Sequence, residues 1–420
     1  MSTSELADGR LAGVLIDGGH VDRRIYRDPK ILELERELIF RRTWQYACTT
    51  REVGTPGDYH ALTVAGEPVL VVRGNDGALR AFYNACSHRA AVLTGGRDGN
   101  CGRVLKCMYH GWAFSLHGEL MAVPYAEEGY GPGFDRSAHG LVPVHCDTFG
   151  DLVFVALDPL VPTLADYLGP FAARLAPYVK GIEAIGRNSW VYEGNWKAWH
   201  ENFRDNYHPE FTHRAIHDLT PHYADAGGNW GFDEGHSVLQ WAGPGVTSHA
   251  RYIRNLERYS GVRIGAIEAP IERTSREGAP NEVLAVFPNA DFQPRTTVDA
   301  LGRKAGFIQV VTPLGVDRAR VDLTVYSSVH DDPATRRMML ENVADTQGSW
   351  GKISTDDTEA AYRVQLGSRA GAGRNIYTRG TAPSDGGPDA QSRDEYSQRA
   401  FFRAYARYLS GANPAALSAT

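Results

Sequence analysis

The sequence predicts an α+β protein in which a small antiparallel β domain precedes a larger domain of mixed helices and strands. Three observations predict it. From about Trp44 to Leu157 the chain is a series of short β-rich runs, HALTVAG, PVLVVRG, LRAFYNA and DLVFVAL, separated by Gly, Asp and Asn turns. After Pro159, helical segments (LADYLGPFAARLAPYV, MMLENVADTQGSW) mix with strand candidates (VLAVFP, AGFIQVVTP, RVDLTVYSSV). At 420 residues and 42% hydrophobic content, the chain is long enough for two or three domains.

In chain order, residues 28–42 place Ile31, Leu32, Leu34, Leu38 and Ile39 at helical spacing behind an Asp28-Pro29 start signal, which predicts an opening helix. Residues 1–44 then form an N-terminal helical segment that packs on the larger domain, 45–158 the β domain, and 159–420 the larger domain. The stretch from Gly367 to Asp394 is rich in Gly, Ser, Asp and Arg and reads as a mobile excursion before a closing helix, EYSQRAFFRAYARYL. No internal repeat is visible.

Composition excludes several function classes. A formal charge of -6, from 44 basic and 50 acidic residues spread along the chain, offers no basic stripe for nucleic acid. The N-terminus lacks a charged start followed by an apolar stretch, and no run approaches the length needed to span a bilayer, so a soluble cytoplasmic protein is expected. Five cysteines are too few for a disulfide framework, and their odd number fits a reducing compartment.

Within the β domain stand Cys86-Ser87-His88 and, after 18 intervening residues, Cys107-Met108-Tyr109-His110 followed by Gly111-Trp112. Each half offers one thiolate and one imidazole. A 2Fe-2S cluster with two cysteines on one iron and two histidines on the other needs this inventory. A structural zinc ion would accept the same four ligands, but zinc motifs of that set usually pair Cys with Cys and His with His, whereas each pair here is mixed. Cys101 falls in the spacer and reads as a bystander; Cys48 and Cys146 read as buried small hydrophobes.

The larger domain holds a second polar cluster, NWKAWHENFRDNYHPEFTH, residues 195–213. His208 and His213 are five apart, which is not a same-face helical pair, but Pro209 disfavours helical geometry at His208 and predicts a bend that brings both imidazoles to one metal. His217 is a rival imidazole. Two histidines and one carboxylate leave open positions on Fe(II), so a third ligand is expected from an Asp or Glu elsewhere. The segment GKISTDDTEAAYRVQLG offers Asp356, Asp357 and Glu359, although acids there also suit a helix start. Asp205, three residues before His208, is placed to hydrogen-bond the outer nitrogen of a ligand imidazole.

The C-x-H and C-x-x-H pairs with trailing Gly-Trp, together with the N-W-K, E-N, D-x-Y-H and later-H order, resemble the large α subunit of Rieske non-haem iron aromatic-ring-hydroxylating oxygenases. The resemblance covers nearly the whole chain. The spacer between the two Cys/His pairs is longer than that family usually shows, and the extra length falls in the turn-like stretch TGGRDGNCGRV. The resemblance implies a Rieske 2Fe-2S domain on Cys86, His88, Cys107 and His110, and a catalytic domain with a helix-grip, Bet v1-like sheet. In that domain it implies a mononuclear Fe(II) on His208, His213 and Asp357, with Asp356 in reserve.

It further implies that Asp205 links His208 to His110 of a neighbouring subunit and that Asn202 lies near the iron. Such proteins are trimeric in α, with or without a small β subunit. His200 departs from the family's usual apolar residue. Phe203, Tyr207 and Phe211 line the pocket or, more simply, pack the core, and Arg295 or Arg399 could hold a substrate carboxylate but read more simply as surface ion-pair partners.

The sequence holds no G-x-G-x-x-G fingerprint, so electrons from NAD(P)H are expected through a separate reductase, directly or through a ferredoxin. The expected reaction is cis-dihydroxylation of an aromatic substrate, such as an aromatic acid, with O2. A monooxygenase or O-/N-demethylase using the same two iron sites is the alternative, and a non-catalytic Rieske electron carrier or zinc protein is the reading from a different class.

Overall fold

The computed structural model describes residues 13, 15–213, 227–241, 281–297, 304–371, 373–380, 386–388 and 390–411. The chain divides into two compact units. One comprises the described residues within Met1–Glu35, Leu168–Tyr178 and Ala184–Ala412; the other comprises Arg36–Tyr167 and Val179–Glu183. Residues 36–44, grouped by the sequence reading with the N-terminal segment, cluster here with the β-rich unit. The opening helix is α-helical over Pro29–Glu35, with Asp28 accepting the Lys30 N–H, and widens to π geometry over Arg36–Phe40.

The β-rich unit is built on a seven-stranded antiparallel sheet in the order Gln45–Thr49, Leu152–Ala156, Pro143–Phe149, Leu79–Tyr83, Glu67–Arg73, Asp58–Val64, Asp98–Asn100. The strand Glu67–Arg73 is apolar on both faces, and its two-residue period divides it between two cores. Val69 and Val71 join Val53, Val64, Ala81, Val153 and Val155 on one side. Leu70 and Val72 join Phe82, Leu105, Trp112, Cys86 and Cys107 on the other. A three-stranded sheet of Val104–Lys106, Ala113–Ser115 and Leu120–Ala122 completes that second side. Both cysteine-histidine pairs therefore stand on a packed core, one after a strand of the large sheet and one inside a hairpin of the small sheet.

The larger unit centres on an eight-stranded sheet: Ile182–Tyr192, Arg318–Ser328, Lys304–Gly315, Ala290–Thr297, Asn281–Val286, Ser237–Trp241, Asn229–Gly231, Gly386–Gly387. Helices Trp196–Asn202, Pro333–Thr346 and Tyr396–Leu409 pack on it. The expected mobile excursion is corrected in its described parts. Arg374–Ile376 pairs with His20–Asp22, and Gly386–Gly387 pairs with Asn229–Trp230, so backbone hydrogen bonds tie a segment that composition alone marked as loose.

Candidate metal centres

The two cysteine loops share one backbone frame. In each, the cysteine N–H donates to the carbonyl five residues on, Cys86 to Ala91 and Cys107 to Trp112, at 2.9 and 2.8 Å. The N–H four residues on returns to the cysteine carbonyl, from Ala90 at 2.8 Å and from Gly111 at 3.1 Å. Closing so tight a loop requires a left-handed residue at that fourth position. Ala90 has φ 56° and Gly111 φ 73°, so glycine serves one loop and a strained alanine the other.

The loops present buried thiols at Cys86 and Cys107, and the His88 and His110 rings lie 4.5 Å apart. His88 stacks on Trp112 at 4.8 Å, and Tyr130 Oη lies 3.3 Å from its Nε2. Its Nδ1 is buried with no hydrogen-bond partner among the described residues. An orphaned imidazole nitrogen beside two buried thiols is costly unless something binds it, and a metal cluster does. Burial pushes the Cys86 thiol up, the N–H groups of His88 and Arg89 pull it back, and the neighbouring Cys107 pushes it up again. Burial, with the charges of His110 and Arg89, pulls His88 down and favours the neutral imidazole that ligation needs.

The second centre is a triangle of three atoms. His208 Nε2 lies 3.3 Å from His213 Nε2 and 3.6 Å from Asp357 Oδ1, and His213 Nε2 lies 3.2 Å from the same oxygen. Bonds of about 2.0–2.2 Å to a single ion would hold neighbouring ligand atoms roughly 3 Å apart, so the triangle has the dimensions of a metal site. Asp357 is 2% exposed, and its Oδ1 has no hydrogen bond among the described residues although two imidazole nitrogens face it. Burial pushes the Asp357 carboxyl up, but His208 and His213 outweigh it and hold it at about 2. Burial pulls His208 down, but Asp205 and Asp357 outweigh it and raise it to about 9.

Each imidazole also has a carboxylate behind it: Asp205 Oδ2 stands 3.5 Å from His208 Nδ1, and Asp356 Oδ2 stands 3.3 Å from His213 Nδ1. Asp356, held in reserve as a ligand, thus backs His213 instead.

Two local expectations need correction. His208 itself adopts helical geometry, φ -67° and ψ -33°, and Pro209 opens a short helix, Pro209–Thr212, rather than breaking one. A proline at the first helical position loses only an N–H that would be unpaired anyway. The acidic pair does not sit at a helix start either. The helix runs Lys352–Ser368, so Asp356 and Asp357 lie in its second turn, beyond the reach of a simple dipole argument.

Residues 43–145 match the Rieske [2Fe-2S] domain, and residues 181–411 match the ring hydroxylating alpha subunit catalytic domain. The chain belongs to the ring-hydroxylating alpha subunit family. A ring-hydroxylating alpha subunit of this two-domain kind carries a Rieske 2Fe-2S cluster and a mononuclear iron, and the donor sets of the two units fit those groups.

Among its relatives, this alpha subunit is 28% identical over 430 residues to the naphthalene 1,2-dioxygenase large oxygenase component of Pseudomonas aeruginosa, covering 93% of this chain and 91% of that one. It is 27% identical to the 2-aminobenzenesulfonate 2,3-dioxygenase subunit alpha of Alcaligenes sp, over 93% and 94% of the two chains. Its fold matches naphthalene 1,2-dioxygenase from Rhodococcus sp. bound to indole with a TM-score of 0.82 at 24% identity, over 98% and 100% of the chains. It also matches a quaternary ammonium Rieske monooxygenase in complex with L-carnitine, with a TM-score of 0.72 at 20% identity over 92% and 95%. No described helix of the alpha subunit is long and apolar enough to cross a membrane.

The remaining expected residues of the alpha subunit divide cleanly. Asn202 is half-buried at the last turn of the helix Trp196–Asn202, and its carbonyl accepts the Asp205 N–H. His200 is buried between Asp291, 2.8 Å from its Nδ1, and Arg204, whose Nε donates to its Nε2 at 3.0 Å, so both ring nitrogens are taken inside the protein. Phe203 packs against the core of Phe307, Leu323, Val325 and Val343. Tyr207 and Phe211 do not pack the core: they pair with each other on the exposed side of the histidine turn, with Arg379 over the Tyr207 ring at 4.3 Å.

Arg399 donates through Nη1 to the carbonyls of Tyr377 and Arg379 and stacks on Tyr396. Cys101 is half-buried with its Sγ on the Gly57 carbonyl, Cys48 is buried, and Cys146 is half-buried with its thiol pushed up to about 12 by burial. His217 and the side chain of Arg295 lie outside the described residues. Sequence reasoning named Trp112 as the trailing residue of its motif but missed Tyr130 and Ala90 around the cluster loops; the matching offset of Ala90 and Gly111 from their cysteines was there to be read.

Proposed function

We propose that this chain is the terminal oxygenase component of a multi-component system that converts an aromatic substrate to a cis-dihydrodiol. It would use O2 and electrons from NAD(P)H delivered by a separate reductase, directly or through a ferredoxin. The observation that carries this reading is the triangle of His208, His213 and Asp357 in a chain that also holds the cysteine-histidine loops. The choice of an aromatic substrate rests on the relatives, whose names specify naphthalene, dinitrotoluene, aminobenzenesulfonate and anthranilate dioxygenases. Cytoplasmic location and a homotrimer, with or without a small β subunit, belong to the same proposal.

In this reading Cys86, His88, Cys107 and His110 hold the 2Fe-2S cluster, and His208, His213 and Asp357 hold the iron. Held by these three residues, an iron ion would supply a reducing centre for oxygen. Asp357 would bring the negative charge to the centre. Asp205 and Asp356 stand behind Nδ1 of His208 and His213, where each carboxylate would orient its imidazole with Nε2 towards the centre. Asp205 then joins His208 to His110 of the neighbouring subunit as the electron route, and Asn202 stands near the iron.

The test is oxygen uptake by the purified chain with a reductase, NADH and a panel of aromatic acids, hydrocarbons and methoxyarenes under labelled O2. Both atoms of one O2 in a single diol support the proposal. One labelled atom, or a demethylated product, replaces it with the monooxygenase reading, whose fold this chain shares. Oxygen-independent behaviour with every substrate defeats both.

A further inference from the structure

The iron reading requires Asp357, on the helix Lys352–Ser368, to meet two histidines that follow the helix Trp196–Asn202. Nothing in the triangle itself fixes the register between those two helices. The buried residues of the first helix are Ser354, Asp357, Ala361, Gln365 and Ser368, an i+3/i+4 stripe that puts Gln365 on the same face as Asp357, roughly 12 Å further along.

Gln365 is 4% exposed, and both ends of its amide are used. Its Oε1 accepts the backbone N–H of Asn195 at 2.9 Å, and its Nε2 donates to the carbonyl of Tyr26 at 3.1 Å. Asn195 is the cap of the histidine-bearing segment: its side chain accepts the Lys197 N–H at 3.1 Å and donates through Nδ2 to the Val316 carbonyl at 2.8 Å and the Tyr26 carbonyl at 3.4 Å. The Tyr26 hydroxyl then reaches the other end of the same helix, donating to Glu201 at 2.7 Å. One glutamine therefore bonds directly to the first turn of the helix that leads to His208, and to the residue that braces both ends of that helix.

We infer that Gln365 is a positioning residue for the iron site: with Asn195 and Tyr26 it sets the register between the aspartate helix and the histidine helix. The inference rests on His208, His213 and Asp357 being the ligands. No isosteric replacement preserves the tie. A glutamate in its place would keep an acceptor for Asn195 but turn an oxygen towards the Tyr26 carbonyl, and a leucine would take the acceptor from the buried Asn195 N–H and leave the Tyr26 carbonyl only the longer bond from Asn195 Nδ2. Displacing one ligand of three by even a fraction of an ångström degrades the site; losing a group bonded directly to a metal ligand weakens binding about 10- to 100-fold, which is a ceiling for a residue that acts through the register of two helices.

The test uses full-length protein with its cluster in place, stripped of mononuclear iron by a chelator and titrated with cobalt(II) alone, followed by the ion's visible absorption. Gln365→Leu and Gln365→Glu are expected to bind cobalt more weakly than the native chain, by at most about 100-fold, measured well below their thermal midpoints. Asp357→Ala is expected to lose the cobalt spectrum, which reports on the ligand set separately.

Native cobalt affinity in folded Gln365→Glu, with binding lost in Asp357→Ala, overturns the positioning role and leaves the ligand set standing. A lowered midpoint with unchanged affinity does the same, since a merely structural glutamine would behave that way. Native affinity in Asp357→Ala overturns the ligand set and the inference with it.

Discussion

Asp205 Oδ2 lies 3.5 Å from His208 Nδ1, while the opposite nitrogen of the same ring faces Asp357 Oδ1 at 3.6 Å. Each side of one imidazole thus meets a different carboxylate, one shared with His213 and one not.

That asymmetry gives the first prediction. Asp205→Ala removes the carboxylate behind His208 without touching the triangle, so the variant is expected to keep the visible spectrum of the cluster and be reduced normally by the reductase. Reoxidation of the cluster in the presence of substrate and O2 should slow by at least about 100-fold. Stopped-flow absorbance checks this, and native reoxidation would remove Asp205 from the electron route.

A second prediction concerns Glu201, whose carboxyl accepts from Tyr26 at 2.7 Å and from Tyr377 at 2.8 Å. Burial raises its proton affinity, the two hydroxyls, Lys197 and Arg204 lower it, and the balance stands at about 7 against an ordinary 4.5. The folded state therefore binds this proton more tightly than the unfolded one. Its contribution is fully present below about pH 4.5 and is lost as the pH rises to about 7. Relative to Glu201→Gln, the native chain should lose stability on the order of 3 kcal/mol between pH 5 and 8. Urea midpoints across that range measure it, and parallel pH profiles would contradict it.

How much of this was open to sequence reading follows from how far apart the partners lie in the chain. The cysteine loops were legible because each pair of ligands is local, and the two histidines share one short segment. Asp357 is distant, and residue chemistry alone left it level with Asp356; a family resemblance was needed to choose. In the structure the helix that starts at Lys352 turns Asp357 towards the Nε2 atoms of His208 and His213 and leaves Asp356 to reach only the outer nitrogen of His213.

The Pro209 rule failed because its local steric preference is small beside the packing of the whole turn. Tyr26 and Glu35 carried no signal, and the partners of Gln365 could not be read: in each case they are 160 or more residues away, and only tertiary structure pairs them. The exposure of Tyr207 and Phe211 was equally hidden, since an aromatic in a polar segment reads as core until its turn is known.

A third prediction tests the buried pair beneath the histidine helix. Glu35 accepts from Lys197 Nζ at 2.5 Å, Trp196 Nε1 at 2.7 Å and Tyr405 Oη at 2.5 Å, with both charged groups fully buried. Glu35→Leu strands a buried ammonium and is expected to cost about 3–5 kcal/mol. Lys197→Met leaves the carboxylate two neutral donors and should cost less, roughly 1–3 kcal/mol. Thermal or urea unfolding ranks them, and the reverse order would show that the carboxylate, not the ammonium, is the group harder to leave alone.

The central claim is that one chain holds a Rieske cluster and a separate single iron. The most direct measurement is iron and acid-labile sulfide per chain, before and after treatment with a ferrous chelator. The account predicts three irons and two sulfides, with one iron removed by the chelator while the cluster's visible spectrum persists. Two irons with none removable would contradict it in favour of an electron carrier, and zinc without sulfide would contradict it altogether.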